Sequence, residues 1–178
     1  MKDLLLMLWV VLVFLLYLIL SGCGFYPECG AYAHDGTTED GPMCAERLHR
    51  ELRVSSQFTE AERSQIMAAG EDWNTATGSR VQLSWVWLVP GEDGSADVVP
   101  AHFEGDRSGQ QWSSTGLIEL ESAPADGLIR AHMVHELGHS FGLGHVDDQT
   151  QAMHPNSGVL VTPADVEHFD RLWRNTHD

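Results

Sequence analysis

The sequence predicts an α+β domain in which helices pack on one side of a mixed β-sheet. Two observations carry this prediction: the apolar residues change between helical and strand periodicity, and the elements follow as helix, strands, helix, irregular stretch and helix. The chain of 178 residues suffices for one compact domain with a short additional segment. We therefore assign residues 56–178 to the domain, 1–22 to a signal peptide and 23–55 to a spacer outside the functional core.

The first helix is predicted to follow Thr59. Thr59 and Glu62 have the spacing of a capping box, in which each side chain satisfies a free backbone N–H of the first turn. Ile66, Ala69 and Trp73 then recur at helical spacing, which indicates one buried face.

Three strands are predicted next. Residues 80–89 alternate between apolar and polar, which indicates a strand with one buried face. Residues 96–103 form a second strand, and Pro100 places it at a sheet edge or a bulge because proline has no N–H to donate. Residues 116–121 form the third strand.

Two further helices complete the predicted domain. One spans about residues 128–141 by its apolar spacing. The other begins at Thr162-Pro163, an N-cap followed by proline in the first helical position, and runs to about residue 175.

The charge of the chain disfavours one class of partner. Its 26 acidic and 10 basic residues give a formal net charge of −16. Such a surface repels phosphate, so we expect no nucleic acid partner.

The N-terminal segment predicts export. Residues 4–20 are apolar and uncharged, as in a signal peptide or a marginal membrane span. Residues 20–23, Leu-Ser-Gly-Cys, resemble a bacterial lipobox. The resemblance implies cleavage before Cys23 and a diacylglycerol on its sulfur, which would anchor the protein to a bacterial membrane. The alternative is an uncleaved anchor helix, and both interpretations place the domain outside the cytoplasm.

Cys29 and Cys44 are the remaining cysteines. In an oxidising compartment two cysteines that flank a short loop usually pair, so a disulfide is predicted. Two unpaired thiols are the alternative.

A metal site is predicted from the stretch HELGHSFGLGH that starts at His135. His135 and His139 are one helical turn apart on one face, so both imidazoles reach one ion at about 2.0–2.1 Å. Glu136 points in another direction and is placed to take a proton from an attacking water. Gly142 tolerates the left-handed conformation of a sharp turn, which would return His145 as a third ligand.

This stretch resembles the signature of the metzincin zinc peptidases, H-E-x-x-H-x-x-G-x-x-H followed by a Met-turn. Met153 stands eight residues after His145, and Pro155 follows it by two, as in the matrixins. Val146 replaces the usual matrixin Ser or Thr, so the resemblance is matrixin-like. It implies a metzincin-like fold with a twisted mixed sheet, an active-site helix, a Met beneath the metal and a C-terminal helix.

The activity that the resemblance implies is zinc-dependent cleavage of peptide bonds, with one catalytic Zn²⁺ and Glu136 as general base. A protein or peptide substrate is expected to lie antiparallel to an edge strand, expected at residues 115–121, with residues 146–162 as pocket wall. One alternative is a catalytically silent zinc lipoprotein that acts as a binding module. Glu136 argues against it, because a purely structural metal site needs no carboxylate there. A hydrolase of non-peptide substrates is a second alternative.

Three other histidines each allow two interpretations. His132 lies one turn before His135 and belongs either to the surroundings of the metal or to ordinary packing. The same two interpretations apply to His102 and His154. A pocket or oxyanion role also suits His154, because it lies beside Met153.

Residues 27–30, Pro-Glu-Cys-Gly, allow a test of the N-terminal segment. They resemble the inhibitory Pro-Arg-Cys-Gly motif of matrixin pro-segments, with Glu28 in place of Arg. If Cys29 pairs with Cys44, Cys29→Ser should leave the hydrolytic rate nearly unchanged, and thiol titration of the unfolded, unreduced protein should detect no thiol beyond an unacylated Cys23. A marked rate increase together with two further free thiols would instead identify Cys29 as an inhibitor of the site.

Overall fold

The structure, a computed structural model, describes residues 40–41, 43, 48–103, 109–112, 115–122, 128–156 and 158–177. The predicted signal peptide and the three cysteines, Cys23, Cys29 and Cys44, lie outside these residues. The described chain has the predicted α+β fold, with a five-stranded mixed sheet and a C-terminal helix. Within these ranges no helix is both long enough and apolar enough to cross a bilayer.

The elements follow the predicted order, with two strands that the sequence analysis missed. In chain order they are β1 (His49–Val54), α1 (Glu60–Ala76), β2 (Gln82–Trp87), a 3-10 turn (Asp93–Ser95), β3 (Val98–Ala101), β4 (Gly109–Trp112), β5 (Leu117–Glu121), α2 (Ile129–Ser140) and α3 (Pro163–His177). The sheet has the order β2-β1-β3-β5-β4, and only β4 runs antiparallel to its neighbour.

The folded domain starts before the boundary at residue 55 that we assigned from the sequence. β1 pairs in parallel with the whole of β2, from His49 opposite Gln82 to Val54 opposite Trp87. Leu52 and Val54 are fully buried, while Glu51 and Arg53 are exposed. Charged outward residues hide this alternation, which is why residues 49–54 do not resemble a strand in the sequence.

Pro100 lies inside the sheet, so of its two predicted positions, a sheet edge or a bulge, the edge is wrong. Its strand, β3, stands between β1 and β5 but pairs with β1 only at Val98. The carbonyl of Val98 accepts the N–H of Ser55 at 2.9 Å, so Val98 directs its backbone groups towards β1. Pro100 points the same way by alternation, beyond the end of β1, and its missing N–H therefore removes no ladder bond.

The expected edge strand at residues 115–121 is also an interior strand. β5 lies between β3 and β4, and β4 covers it with Gly109 opposite Leu120 and Trp112 opposite Leu117. The sequence of β4, GQQW, has neither apolar alternation nor β-branched residues, so no strand was predicted there. Among the described strands β4 forms this edge of the sheet.

The helices α1 and α2 pack against each other at Trp73, which is fully buried. Its indole N–H donates to the carbonyl of Val134 in α2 at 2.9 Å, and its ring packs edge-on against Phe141, with 5.4 Å between centroids. At the surface of the same contact Arg130 of α2 donates to both carboxylate oxygens of Asp72 in α1, at 2.8 and 2.6 Å. These contacts fix the rotation of α2 about its axis and therefore the direction in which its histidines point.

Local helix signals were predicted correctly. The capping box is present: Glu62 accepts the N–H of Thr59 at 2.7 Å, and the hydroxyl of Thr59 accepts the N–H of Glu62 at 3.3 Å. The α2 and α3 helices also occupy the predicted regions, because capping and apolar spacing are properties of neighbouring residues.

Candidate metal centre

Three histidines meet where α2 ends. His135 and His139 project from the same side of α2, with their Nε2 atoms 3.0 Å apart. Gly142 has a φ of 102°, in the left-handed region that glycine tolerates, and turns the chain back after the helix. His145 then places its Nε2 atom 3.2 Å from that of His135 and 3.0 Å from that of His139. The structure thus brings the three predicted ligands into one group that could hold a metal ion.

Two of these histidines have a fixed tautomer. The Nδ1 atom of His135 lies 2.7 Å from the carbonyl oxygen of Ala152, and that of His139 lies 2.8 Å from the carbonyl oxygen of Leu143. A carbonyl only accepts hydrogen bonds, so each Nδ1 carries the proton and each Nε2 keeps a lone pair. This is the arrangement in which a histidine binds a metal through Nε2.

The spacing of the nitrogens fits one metal ion. The three Nε2 atoms lie 3.0–3.2 Å from one another, which would let one ion bind all three at about 2.0–2.1 Å. The three donors are therefore compatible with a metal ion that keeps a position for another ligand.

Glu136 follows His135 in α2, and its side chain packs against the edge strand β4. Its side chain is buried, with 5% of the residue exposed. A Cβ atom at Gly109 of β4 would lie 2.7 Å from Glu136 Oε1 and 2.9 Å from its Cγ. Only glycine therefore allows the carboxylate to stand this close to β4. The sequence analysis missed this role of Gly109, although an isolated glycine in a strand often marks a close approach.

Met153 packs against α2 at Gly138. It is fully buried, and its sulfur lies so close to Gly138 that a Cβ atom there would overlap it. Gly138 precedes His139 directly, so the thioether contacts the helix backbone between the two helical ligands. The carbonyl of Met153 accepts the N–H of Val146 at 3.1 Å, which connects this turn to the residue after His145.

Asp165 holds the turn that carries Met153. This fully buried carboxylate accepts the backbone N–H groups of Ala152 at 3.1 Å, Met153 at 3.3 Å and Thr162 at 2.9 Å. It also accepts the hydroxyl of Thr162 at 2.6 Å. One residue thus caps α3 and fixes the loop whose carbonyl orients His135. The sequence indicated the cap but not this second role.

Burial keeps His135 neutral. Loss of solvent lowers the pKa of His135 to about 4, although the hydrogen bond to Ala152 opposes the change, and the nearby His145 and His132 lower it further. A neutral imidazole is the form that binds metal. His132, 7% exposed on α2, therefore lies close enough to His135 to influence the pKa of that ring.

His102 and His154 have other partners. His102 is exposed, and its Nδ1 lies 2.8 Å from a carboxylate oxygen of Glu121. His154 accepts the N–H of Asn156 through Nδ1 at 3.2 Å. Within the described part of the chain, the group formed by His135, His139 and His145 contains neither of them.

The chain matches no known protein family and no curated protein in sequence comparisons.

The contact between Gly138 and Met153 can be tested by Gly138→Ala. The added methyl group must displace the buried sulfur, and overpacking of this kind costs about 1–3 kcal/mol of unfolding free energy. Chemical denaturation measures the change, with Gly94→Ala as control because a Cβ there meets no atom within 4 Å. Equal stability of the two variants would contradict the packing described.

The burial of His135 predicts a pH dependence of the metal-free protein. The unfolded chain binds a proton near pH 6.5 and the folded chain only near pH 4, so the free energy of unfolding falls as the pH drops between these values. The loss should reach about 3 kcal/mol, with full stability above the upper value. Urea unfolding of chelator-treated protein measures it. His135→Asn should lack this component, and an unchanged pH slope in that variant would refute the assignment.

Proposed function

We propose that the protein is a zinc-dependent endopeptidase of the metzincin type, similar to the matrixins. The observation that carries the proposal is the convergence of His135, His139 and His145 on one point, with Glu136 buried next to His135 in the same helix. The α+β fold with a mixed sheet and a C-terminal helix is consistent with a metzincin-like domain.

The donor set supports zinc as the ion. Imidazole nitrogens suit zinc, and three protein ligands with one open position are typical of catalytic zinc sites. Three neutral ligands do not offset the ionic charge. A zinc ion held here would polarise the scissile carbonyl and lower the pKa of water towards neutrality.

Glu136 would move the proton. Its carboxylate takes a proton from the attacking water while the water oxygen bonds to the scissile carbonyl carbon. The same carboxylate then gives that proton to the leaving nitrogen as the C–N bond breaks. The close contact with Gly109 leaves the carboxylate little freedom to turn away from this position.

The substrate would bind along β4 and not along residues 115–121, because β4 covers that strand. An extended peptide can add to the outer edge of β4 by backbone hydrogen bonds. Such a peptide passes Gly109, where the strand lies against Glu136. The segment after the Met-turn would wall the pocket: Val159 and Leu160 are exposed, and Gly158 contacts Leu128.

We also propose that the protein is exported and attached to a bacterial membrane. Export and attachment to a bacterial membrane through Cys23 rest on the lipobox-like residues 20–23. A lipid anchor of this kind would place the peptidase outside the cytoplasm, next to exported or surface proteins.

Glu136→Gln tests the proposed mechanism. The amide keeps the shape of the side chain but cannot accept the proton, so cleavage should slow by about 10²–10⁴-fold while zinc content is unchanged. Mass spectrometry of a peptide library measures cleavage, and the exposed Glu71→Gln serves as control. A Glu136→Gln variant that cleaves as fast as wild type would contradict the role of general base. A zinc-loaded wild type that cleaves no peptide would favour a binding module.

A further inference from the structure

A residue far upstream contacts the turn between the second and third histidines. The Oδ1 atom of Asp40 accepts the backbone N–H of Gly144 at 3.0 Å. The next residue, Gly41, donates its N–H to the carbonyl of Gly142 at 2.8 Å. These two bonds lie on either side of Leu143, so they hold the turn at both of its glycines.

Asp40 is itself held by α3. The Nε2 atom of His168 lies 2.6 Å from the same Oδ1 atom, and the side chain of His168 is only 8% exposed. Burial by itself raises the pKa of Asp40, but the hydrogen bonds from His168 and Gly144 lower it overall. Asp40 is thus an ionised acceptor that links α3 to the turn Gly142–Gly144.

The segment around Asp40 is anchored in the core. Gly41 is buried, and Met43 packs in the main hydrophobic cluster with 6% of its surface exposed. Asp40 is therefore fixed both by its own hydrogen bonds and by the residues that follow it.

The position of His145 depends on what holds its two neighbours. On its C-terminal side, the N–H of Val146 donates to the carbonyl of Met153 at 3.1 Å. On its N-terminal side, the N–H of Gly144 donates to Asp40 at 3.0 Å. Two glycines in a three-residue turn carry a large conformational entropy when they are not held, so this second bond restricts the most mobile part of the loop.

We propose that Asp40 is a positioning residue of the metal centre, which holds the turn Gly142–Gly144 so that His145 completes the three-nitrogen site. The proposal rests on the metal-binding part of the proposed function. It assigns a role at the site to a segment that the sequence analysis placed in the spacer. Residues outside the direct ligands that fix ligand geometry typically change metal affinity by about 10–100-fold when they are replaced.

The test compares Asp40→Ala with Asp97→Ala in the full chain. Asp97 is a matched control, because it is also a partly exposed carboxylate that bonds to a side chain and a backbone N–H, those of Arg53. Competition with a chromophoric chelator gives the zinc dissociation constant. Asp40→Ala should raise it by about 10–100-fold and broaden the visible absorption of the Co²⁺-substituted protein, while Asp97→Ala should leave both unchanged. Equal loss of stability in the two variants without any change in zinc affinity would overturn the proposal.

A second variant separates the hydrogen bond from general damage to the fold. Asp40→Asn keeps an oxygen that accepts the N–H of Gly144, so its zinc affinity should stay close to that of wild type. Hydrogen exchange of metal-free wild type adds a measurement that needs no zinc and no variant: the Gly144 amide should be protected. Exchange at the rate of an unstructured peptide would overturn the proposal. Failure of wild type to bind zinc, with Gly144 still protected, would refute the proposed function and leave the contact standing.

Discussion

The site depends on two hydrogen bonds that join the helical histidines to loop carbonyls. His135 donates to Ala152 and His139 donates to Leu143, and each bond both fixes a tautomer and orients a ring. The acceptors belong to two different loops, the turn that carries Met153 and the turn Gly142–Gly144. The group of three histidines therefore forms only when both loops pack on α2, and the buried Asp165 holds the turn that carries Met153.

Burial determines which cation the histidines favour. His135 and His139 present lone pairs to each other at 3.0 Å in a nearly dry environment, which favours a cation between them. Protonation would supply a positive charge, but burial lowers the pKa of His135 to about 4 and so opposes it at neutral pH. A metal ion supplies the positive charge between the lone pairs and leaves the histidines unprotonated.

The sequence predicted those features that depend on neighbouring residues. The capping box at Thr59 and the i, i+4 pair of histidines follow from helix geometry alone, and both are present. Features that depend on distant partners left no local pattern: Asp40 bonds to Gly144 across 104 positions, and Gly109 has meaning only because Glu136 packs against it. The edge strand was misplaced for the same reason, since nothing in the sequence of β4 indicates that it pairs.

X-ray absorption spectroscopy at the zinc edge tests whether His135, His139 and His145 bind zinc together. On the purified full chain loaded with one equivalent of zinc, the account predicts three nitrogen scatterers of imidazole type at about 2.0–2.1 Å and one further oxygen. In His145→Ala the outer-shell scattering of the imidazole rings should be weaker, because one of the three rings is removed. A sulfur scatterer at about 2.3 Å would show that a cysteine occupies the open position, and zinc bound without imidazole scattering would contradict the site itself.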